Sequence, residues 1–328
     1  MAEVRTVAIV VPVYNEAEVI AEFHSRLCSV VSQLPYSCAI NYVDDGSTDS
    51  TREILRQLAD QDTRVALIEL TRNFGHQAAL MAGIDRCNAD VIVTMDGDGQ
   101  HPAELIPQMI DLIVLGYDVV LTQRLSDPNI SMAKRWTSRV FYAWINRLSE
   151  TQVVPGSADY RAITRRVSDT LKQMNEYHKF LRGMIAWTGY RAAILPYPQA
   201  PRLAGTSKYS PVKMLRLANA AVFSFSLVPV QVVVGLGALF VVLAGMEAIY
   251  VLSLWLLGQR NVLAPGWSSL MFVLLFVGGV IMVSLGILGM YVGYIFQEVK
   301  RRPVYLVGSA SEVEPQREPA DPAAVQGT

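Results

Sequence analysis

The first two hundred residues alternate between short apolar runs and longer amphipathic stretches. Continuous apolar runs rich in β-branched residues are typical of strands buried on both faces. Strands that alternate with helices in this way predict a mainly parallel, doubly wound α/β sheet. The runs predict five strands, at Val7–Val11, Ala39–Val43, Val65–Leu70, Ala89–Met95 and Asp118–Gln123. The stretches between them predict helices at Glu16–Val31, Thr51–Asp60, Gln77–Cys87 and Pro102–Leu115.

Beyond about residue 205 the pattern changes, and residues 223–297 carry almost no charge. Two apolar spans, Leu227–Leu257 and Trp267–Phe296, are separated by a short linker of turn residues. About 20 apolar residues cross a bilayer core, so the two spans predict a transmembrane hairpin. The alternative is a pair of buried helices in a soluble protein, but these runs are longer than such helices usually are.

Basic residues give the hairpin a predicted orientation. Lys208, Lys213 and Arg216 precede the first span, and residues 300–302 are Lys-Arg-Arg after the second, whereas the linker has only Arg260. The positive-inside rule therefore places both ends of the hairpin in the cytoplasm. The N-terminus shows no signal peptide, because the run Val7–Val11 is too short. We therefore expect residues 1–207 to form a cytoplasmic domain.

The segments that flank the hairpin have distinct compositions. Residues 208–226 mix apolar and basic positions, which suits an amphipathic helix on the membrane surface. Residues 298–328 begin with a basic patch and continue, from Ser309, as a tail rich in Pro, Ala, Glu and Gln that we expect to be disordered. Glu247 lies inside the first span, where it is interpreted as a hydrogen-bonding group between helices or subunits, with a functional role as the alternative.

Composition narrows the class of protein. The chain has 28 Lys+Arg and 29 Asp+Glu, which argues against a nucleic-acid partner, since such proteins are usually basic. Hydrophobic residues make up 52% and charged residues 17% of the chain, which favours a membrane protein over a disordered one. Its three cysteines form no CxxC pair and no disulfide framework.

Polar sequences fall at the carboxyl ends of the predicted strands. They are Pro12–Glu16, Asp44–Asp49, Asp96–Gln100 and Arg124. Ligands of doubly wound sheets bind beyond these strand ends. We therefore expect the chemistry of this chain to converge on one edge of the sheet.

Residues 95–100, Met-Asp-Gly-Asp-Gly-Gln, carry the strongest single signal. Two carboxylates two residues apart offer the hard oxygen ligands that Mg²⁺ or Mn²⁺ prefers. The alternative is an acidic β-turn, because Asp-Gly is a common turn pair. No Walker or Rossmann glycine motif is present, so a diphosphate bound here would need a metal.

The segment Asp44-Asp-Gly-Ser-Thr-Asp49 is open to two interpretations. Its acids could accept hydrogen bonds from a base or a ribose. The alternative is a turn followed by a helix cap, with Asp49 or Ser50 capping the next helix.

Taken in order, the segments VPVYNE, VDDGSTDST, RNFGHQAALMAG and MDGDGQHP resemble the family 2 glycosyltransferases of the GT-A fold. The later segments SADYR, KFLRGMIAWTG and RLAGTSKY are similar to the polyprenyl-phosphate glycosyltransferases, which include dolichol-phosphate mannose synthases and bacterial enzymes that load glucose or aminoarabinose onto undecaprenyl phosphate. The resemblance covers about residues 7–300. The chain departs from many relatives at Gly97 and Gly99, where they have Ala and Leu.

The resemblance implies a role for each matching residue. The nucleotide sugar would contact Pro12, Tyr14, Glu16, Asp45, Asp96, Gly97, Asp98, Gln100 and Arg124. A divalent cation, Mg²⁺ or Mn²⁺, would bind Asp96, Asp98 and Gln100. The lipid phosphate would bind Arg202, Lys208 and Arg182, although Arg182 also suits a diphosphate contact or simple packing.

For several further side chains, the sequence leaves more than one role open. Asp98 and Asp159 are the candidate catalytic residues, with Asp159 either a base or an orienting group for Arg161 or the sugar. His76 and His101 have no acidic partner pattern in the sequence, so we interpret them as supporting or surface residues. Trp187 is interpreted as a groove wall or a packing residue.

The resemblance implies inverting transfer of a sugar, with UDP-glucose as first choice, to a polyprenyl phosphate in the bacterial inner membrane. The same reaction with GDP-mannose or UDP-aminoarabinose and a non-catalytic nucleotide-sugar-binding subunit are the alternatives. Two spans are too few for the channel of a processive polysaccharide synthase, and the large N-terminal domain argues against a transporter half. Relatives form tetramers, and glycines in both spans would allow close helix approach in a homo-oligomer.

Overall fold

The computed structural model describes residues 4–125, 157–174, 176–177, 179–198, 228–257 and 266–311. Its described residues fall into two compact units, one within Met1–Leu215 and Pro303–Thr328 and the other within Arg216–Arg302. The sequence-based boundary at residue 207 lies outside the described residues, as do the segment 208–226 and the centre of the hairpin linker.

In the described residues, the first unit has eight strands. They are β1 (Thr6–Val13), β2 (Ser37–Asp44), β3 (Val65–Leu70), β4 (Val91–Thr94), β5 (Val119–Arg124), β6 (Ser157–Thr164), β7 (Ala192–Tyr197) and β8 (Val307–Ala310). They form one sheet in the order β7-β5-β6-β4-β1-β2-β3-β8. β1 pairs in parallel with β2 and β4, β2 with β3, and β5 with β7. β6 is antiparallel to β4 and β5, and β8 is antiparallel to β3. The prediction of a mainly parallel sheet is confirmed, with these antiparallel strands as additions.

Helices cover both faces of the sheet. They are α1 (Ile20–Val31), α2 (Thr51–Gln61), α3 (His76–Arg86), α4 (Ile106–Val114), α5 (Arg165–Gln173) and α6 (Leu181–Thr188). The buried residues of α1, α2 and α4 pack in one cluster, and those of α3, α5 and α6 pack in the other. The doubly wound arrangement predicted from the alternating pattern is therefore confirmed.

Two boundaries differ from the prediction for local reasons. α1 begins at Ile20 rather than Glu16, because Asn15 has a φ of 53° and a turn closes on the Glu16 carbonyl before the helix starts. The fourth predicted helix starts with one 3₁₀ turn, Ala103–Leu105, before α4.

The prediction of a disordered tail is wrong at the start of that tail. Ser309 and Ala310 belong to β8, and the Ser311 N–H donates to the Leu67 carbonyl at 2.9 Å. The Ser311 hydroxyl also accepts the Leu67 N–H at 2.8 Å. Tertiary pairing with the edge of β3 orders these residues in spite of their polar composition.

The described part of the second unit contains two long helices, α7 (Val228–Leu256) and α8 (Trp267–Val299). They coincide with the two predicted apolar spans, and the rings of Phe240 and Phe276 meet edge to face with centroids 5.1 Å apart. In the described part of the chain, one helical stretch, Phe276–Val299, is long and apolar enough to cross a membrane. The side chain of Glu247 lies outside what the structure describes.

Gly83 is a point of close approach between α3 and the sheet. A Cβ at this position would lie 2.3 Å from Val10 Cγ1 and 3.1 Å from Val43 Cγ2. Both neighbours are buried in the sheet and cannot move aside. Only a residue without a side chain therefore allows α3 to pack at this distance.

We expect Gly83→Ala to lower the free energy of unfolding by about 1–3 kcal/mol, because overpacking outweighs the gain in helix propensity. Chemical unfolding of the full chain in detergent, followed by near-ultraviolet circular dichroism, measures the change. The control is Gln57→Ala on the exposed side of α2. A surface change of this kind should alter stability by less than about 0.5 kcal/mol. A Gly83→Ala variant as stable as the parent would contradict the packing argument.

Candidate active site

The loops that follow β1 and β2 are locked together by side-chain hydrogen bonds. The Asn15 N–H donates to Ser47 Oγ at 3.0 Å, and Asn15 Oδ1 accepts the Thr48 N–H at 2.8 Å. The Glu16 N–H donates to Thr51 Oγ1 at 2.9 Å. The predicted nucleotide-binding residues Pro12, Tyr14 and Glu16 thus belong to β1 or to this rigid double loop, with Pro12 buried and Tyr14 exposed.

The two acids at the end of β2 have different partners. Asp44 Oδ2 accepts from Arg52 Nε at 2.9 Å, so this carboxylate is neutralised within the fold. Asp45 accepts the Phe74 N–H at 2.7 Å on one oxygen and the Gly75 N–H at 2.9 Å on the other. Burial raises the pKa of Asp45, and these two N–H groups oppose the shift. Asp45 therefore shapes the loop before α3, and each of its oxygens retains a lone pair for a ligand.

Asp49 makes the capping contact expected from the sequence. Its Oδ1 accepts the N–H of Thr51, the first residue of α2, at 3.1 Å. Ser50 occupies the N-cap position without a side-chain hydrogen bond to the helix. The turn-and-cap interpretation is therefore correct for Asp49.

Asp96 lies at the end of β4 between two histidines. Its Oδ2 is 3.0 Å from His101 Nε2, and its Oδ1 is 3.4 Å from His76 Nε2. Oδ1 is buried and accepts no hydrogen bond from the described residues. Burial raises the pKa of Asp96, but the two histidines outweigh it and bring the pKa to about 2. The result is an ionised carboxylate with one oxygen that lacks a hydrogen bond.

The turn after Asp96 is tightly built. Asp98 Oδ1 accepts the Gln100 N–H at 3.0 Å, and Gly99 has a φ of 73°, which favours glycine. A Cβ on Gly97 would lie 3.3 Å from Val11 Cγ1, so this glycine lets the turn pack on β1. Both candidate metal-binding acids and the buried Gln100 therefore share one turn.

His101 is buried and connects this turn to β5 and β7. Its Nδ1 is 2.9 Å from Tyr197 Oη, and Arg124 Nε donates to the same oxygen at 3.2 Å. The predicted Arg124 is thus linked to the Asp96 carboxylate through Tyr197 and His101. Tyr197 was not identified from the sequence, because its strand is about a hundred residues away and carries no motif.

Asp159, on β6, is surrounded by positive groups. Arg182 binds it with two hydrogen bonds, Nε to Oδ1 at 3.0 Å and Nη2 to Oδ2 at 2.9 Å. Arg161 Nη2 donates to Oδ1, and Gln77 Nε2 donates to Oδ2 at 3.1 Å. Burial opposes ionisation, yet Arg182 and Arg161 hold the pKa of Asp159 well below its usual range. A carboxylate with such a low pKa is a weak base.

His76 joins the two carboxylates. Its Nε2 lies 3.4 Å from Asp96 Oδ1 and 3.4 Å from Asp159 Oδ2. Burial lowers its pKa, but the two carboxylates outweigh that effect and raise the pKa to about 9. The sequence showed no acidic partner pattern for the histidines, but the structure places Asp96 beside both of them and Asp159 beside His76. Their interpretation as supporting residues stays a prediction.

The other predicted residues divide into two groups. Arg182 lies among the positive groups around Asp159, whereas Arg202 and Lys208 lie outside the described residues. Trp187 is 64% exposed on α6, so it is not a core packing residue.

Comparison with known proteins shows the family to which the chain belongs. Residues 8–172 match the family model described as Glycosyl transferase family 2. The chain belongs to that family. An uncharacterized glycosyltransferase of Synechocystis sp. is 36% identical over 300 residues, covering 92% of this chain and 94% of that protein. The SfII prophage-derived bactoprenol glucosyl transferase of Shigella flexneri is 34% identical over 312 residues, covering 94% of this chain and 99% of that protein.

Among solved structures, a mannosyltransferase from Pyrobaculum calidifontis in complex with GDP-Man and Mn2+ aligns with a TM-score of 0.44. The identity is 17%, and the alignment covers 90% of this chain and 86% of that one.

The raised pKa of His76 predicts a pH-dependent contribution to the stability of this glycosyltransferase. An unperturbed histidine titrates near pH 6.5. The contribution is therefore complete below about pH 6.5 and is lost as the pH rises through about 9. In metal-free protein, the stability difference between the parent and His76→Gln should shrink between pH 6 and pH 10.

Unfolding midpoints across this pH range measure the effect, with Gln57→Ala as the variant whose difference from the parent stays constant. NMR of protein labelled at histidine gives the His76 pKa directly. A stability difference that is independent of pH would show that His76 is not an imidazolium shared by the two acids.

Proposed function

We propose that this glycosyltransferase transfers glucose from UDP-glucose to the phosphate of undecaprenyl phosphate, with inversion at the anomeric carbon. The observation that carries the proposal is the turn with Asp96 and Asp98 at the carboxyl edge of the sheet, where the buried Oδ1 of Asp96 accepts no hydrogen bond from the described residues. The activity named for the Shigella relative, which aligns over almost its whole length, supports glucose and bactoprenol as the substrates. GDP-mannose and UDP-aminoarabinose are the alternative donors.

The residues of this turn fit a divalent cation. Asp96 Oδ1 accepts no hydrogen bond, and Asp98 has one oxygen engaged by a backbone N–H. Carboxylate oxygens are the hard ligands that Mg²⁺ and Mn²⁺ prefer. When bound, the cation would neutralise the charge that develops on the nucleoside diphosphate leaving group. Gln100 completes the proposed ligand set, and His101 fixes the orientation of Asp96, as partners of metal-binding carboxylates commonly do.

The nucleotide sugar is proposed to lie along the adjacent ends of β1, β2 and β4. Pro12, Tyr14, Glu16 and Asp45 border it on one side, and Arg124 approaches the diphosphate on the other. Because β1 lies between β2 and β4 in the sheet, one extended ligand can reach all three strand ends. The presence of both Asp96 and Asp98 disfavours the alternative that this chain is a non-catalytic subunit that only binds a nucleotide sugar.

Asp159 is proposed to be a positioning residue rather than a base. A lipid phosphate is already an anionic nucleophile and needs no deprotonation. The Asp159 oxygens accept from Arg182, Arg161 and Gln77, and the low pKa makes this carboxylate a poor proton acceptor. The carboxylate instead holds the Arg182 guanidinium in place, so that Arg182 can assist in binding the acceptor phosphate together with Arg202 and Lys208.

The proposed site of action is the cytoplasmic face of the bacterial inner membrane. The helical stretch Phe276–Val299 is suited to cross a bilayer, and the basic residues on either side of the hairpin favour cytoplasmic ends. A lipid acceptor requires an enzyme held at this surface. Association of several copies through the glycines of the hairpin is part of the same proposal.

A transfer assay tests the reaction. Protein in lipid is given undecaprenyl phosphate, Mg²⁺ or Mn²⁺, and labelled UDP-glucose, GDP-mannose or UDP-aminoarabinose. We expect label from UDP-glucose to enter the organic phase, and Asp98→Asn to reduce the rate at least about 100-fold, as the loss of a key electrostatic group does. Asp60→Asn, at an exposed acid on α2, is the matched control and should retain full activity. Transfer from a different donor would replace glucose in the proposal, and retained activity in Asp98→Asn would reject the metal site.

A double-mutant cycle tests the role of Asp159. If Asp159 acts by holding Arg182, the variants Asp159→Asn and Arg182→Gln should each slow transfer, and the double variant should be no slower than the slower single variant. If Asp159 is instead an independent base, the two losses should multiply. Initial rates at saturating UDP-glucose with varied lipid phosphate separate kcat from KM, and the positioning role predicts that KM for the lipid rises.

A further inference from the structure

Arg161 is a buried cation whose hydrogen-bond donors are only partly used. It lies on β6, in register with Thr94 of β4 and Leu121 of β5, and is 1% exposed. Its Nη2 donates to Asp159 Oδ1 and, at 3.3 Å, to the Ala158 carbonyl. Its Nε and Nη1 are buried and find no acceptor among the described residues. Buried N–H groups are nearly always paired, so these two donors point to a second arrangement in which they are used.

Two guanidinium groups share the single negative charge of Asp159. Arg182 binds this carboxylate with both Nε and Nη2, whereas Arg161 binds it with Nη2 alone. The Arg161 side chain is 2% exposed and the Arg182 side chain is 30% exposed. One guanidinium neutralises one carboxylate, so the second is in excess. The group that can leave is Arg182, because it reaches the surface and Arg161 does not.

The unused Nε of Arg161 lies on the same edge of its guanidinium as the Nη2 that already contacts Asp159. A carboxylate binds this edge with two parallel hydrogen bonds, as Asp159 binds Arg182. When Arg182 turns away, a small rotation of the carboxylate places its second oxygen on Arg161 Nε. Asp159 thereby stays paired at a buried position where an unpaired charge is strongly unfavourable.

Gln77 limits this movement to one side chain. Its Nε2 donates to Asp159 Oδ2 at 3.1 Å, and its Oε1 accepts the Leu181 N–H at 3.2 Å. Leu181 is the first residue of α6, directly before Arg182. The start of α6 therefore stays attached to Asp159 when the Arg182 guanidinium leaves.

We propose that Arg161 is a positioning residue that takes over Asp159 when the Arg182 guanidinium turns to the phosphate of the acceptor. The acceptor in this inference rests on the proposed function, whereas the exchange of partners is a property of the three side chains. A guanidinium binds phosphate as readily as carboxylate. Asp159 thus orients Arg182 before the acceptor arrives and releases it without becoming an unpaired charge.

NMR of the arginine Nε–H groups tests the exchange in the absence of substrate. The full chain in detergent is labelled at arginine, and the Arg161 signal is assigned by through-bond correlation to its backbone. Arg182→Gln removes the competing guanidinium, so we expect the Arg161 Nε–H signal to move downfield, as an N–H does when it gains a carboxylate acceptor.

Arg166→Gln is the matched control for this measurement. Arg166 is exposed on α5 and stacks on the Tyr190 ring, 5.0 Å from its centroid. Its replacement should leave the Arg161 signal in place. An Arg161 signal that does not move in Arg182→Gln, or that moves equally in Arg166→Gln, would overturn the proposal.

Transfer kinetics test the use of this exchange in acceptor binding. Arg161→Lys keeps the positive charge but loses the two-donor edge, so Asp159 retains Arg182. We expect KM for undecaprenyl phosphate to rise about 10-fold, the effect of one lost charge-assisted hydrogen bond, with KM for the nucleotide sugar unchanged. Arg166→Lys, the same change at an exposed arginine, should alter neither value. A merely structural role predicts lower stability without this selective rise, and an unchanged KM for the lipid would overturn the role in acceptor binding.

The two measurements separate this inference from the proposed function. The NMR readout uses no sugar, lipid or metal, so a failed transfer assay does not affect it. Conversely, a parent protein that transfers sugar while the Arg161 signal stays fixed in Arg182→Gln would reject the exchange and leave the proposed function intact.

Discussion

The candidate active site depends on the sharing of His76 between two carboxylates that are largely removed from water. Removing an ionised acid from water costs several kcal/mol of free energy unless it is paired with a positive group. Asp96 remains ionised chiefly because His76 lies 3.4 Å from it, with His101 adding to the effect. Asp159 remains ionised chiefly because of Arg182 and Arg161, and His76, also 3.4 Å away, adds to their effect. The position of each acid is therefore tied to the other, and so is the orientation of Arg182.

The sheet topology brings these charges together. β6 runs antiparallel between β4 and β5, so the beginning of β6 lies beside the end of β4. Thr94 donates its hydroxyl hydrogen to the Asp159 carbonyl at 2.6 Å, which fixes this register next to Asp96. A parallel β6 would have placed its first residues at the opposite edge. The reversed strand is thus the feature that places Asp159 beside the turn that carries Asp96 and Asp98.

The parallel part of the fold was predictable because its strands are continuous apolar runs. β6 was not, since Asp159 and the buried Arg161 interrupt its apolar pattern, and their burial is possible only because they pair in space. The pairing of His76 with Asp159 was not predictable for the same reason. His76 precedes both of its acids by long stretches of chain, and Tyr197 is on a strand far from His101. Short motifs predicted the acids of the candidate site, but most of the groups that set their charge state come from tertiary contacts.

β8 shows how a segment beyond the hydrophobic helices contributes to the same domain. β3 would otherwise be an exposed edge strand, and β8 covers it, as natural sheets often require. Glu69, on β3, accepts hydrogen bonds from the Ser309 hydroxyl and from Arg56. Its Oε1 also lies 4.0 Å from Arg52 Nε. Arg52 in turn neutralises Asp44 at the end of β2. A continuous chain of polar and charged groups thus runs from β8 to the loop after β2. Because that loop borders the proposed nucleotide site, the pairing of β8 helps to hold the site in the geometry described above.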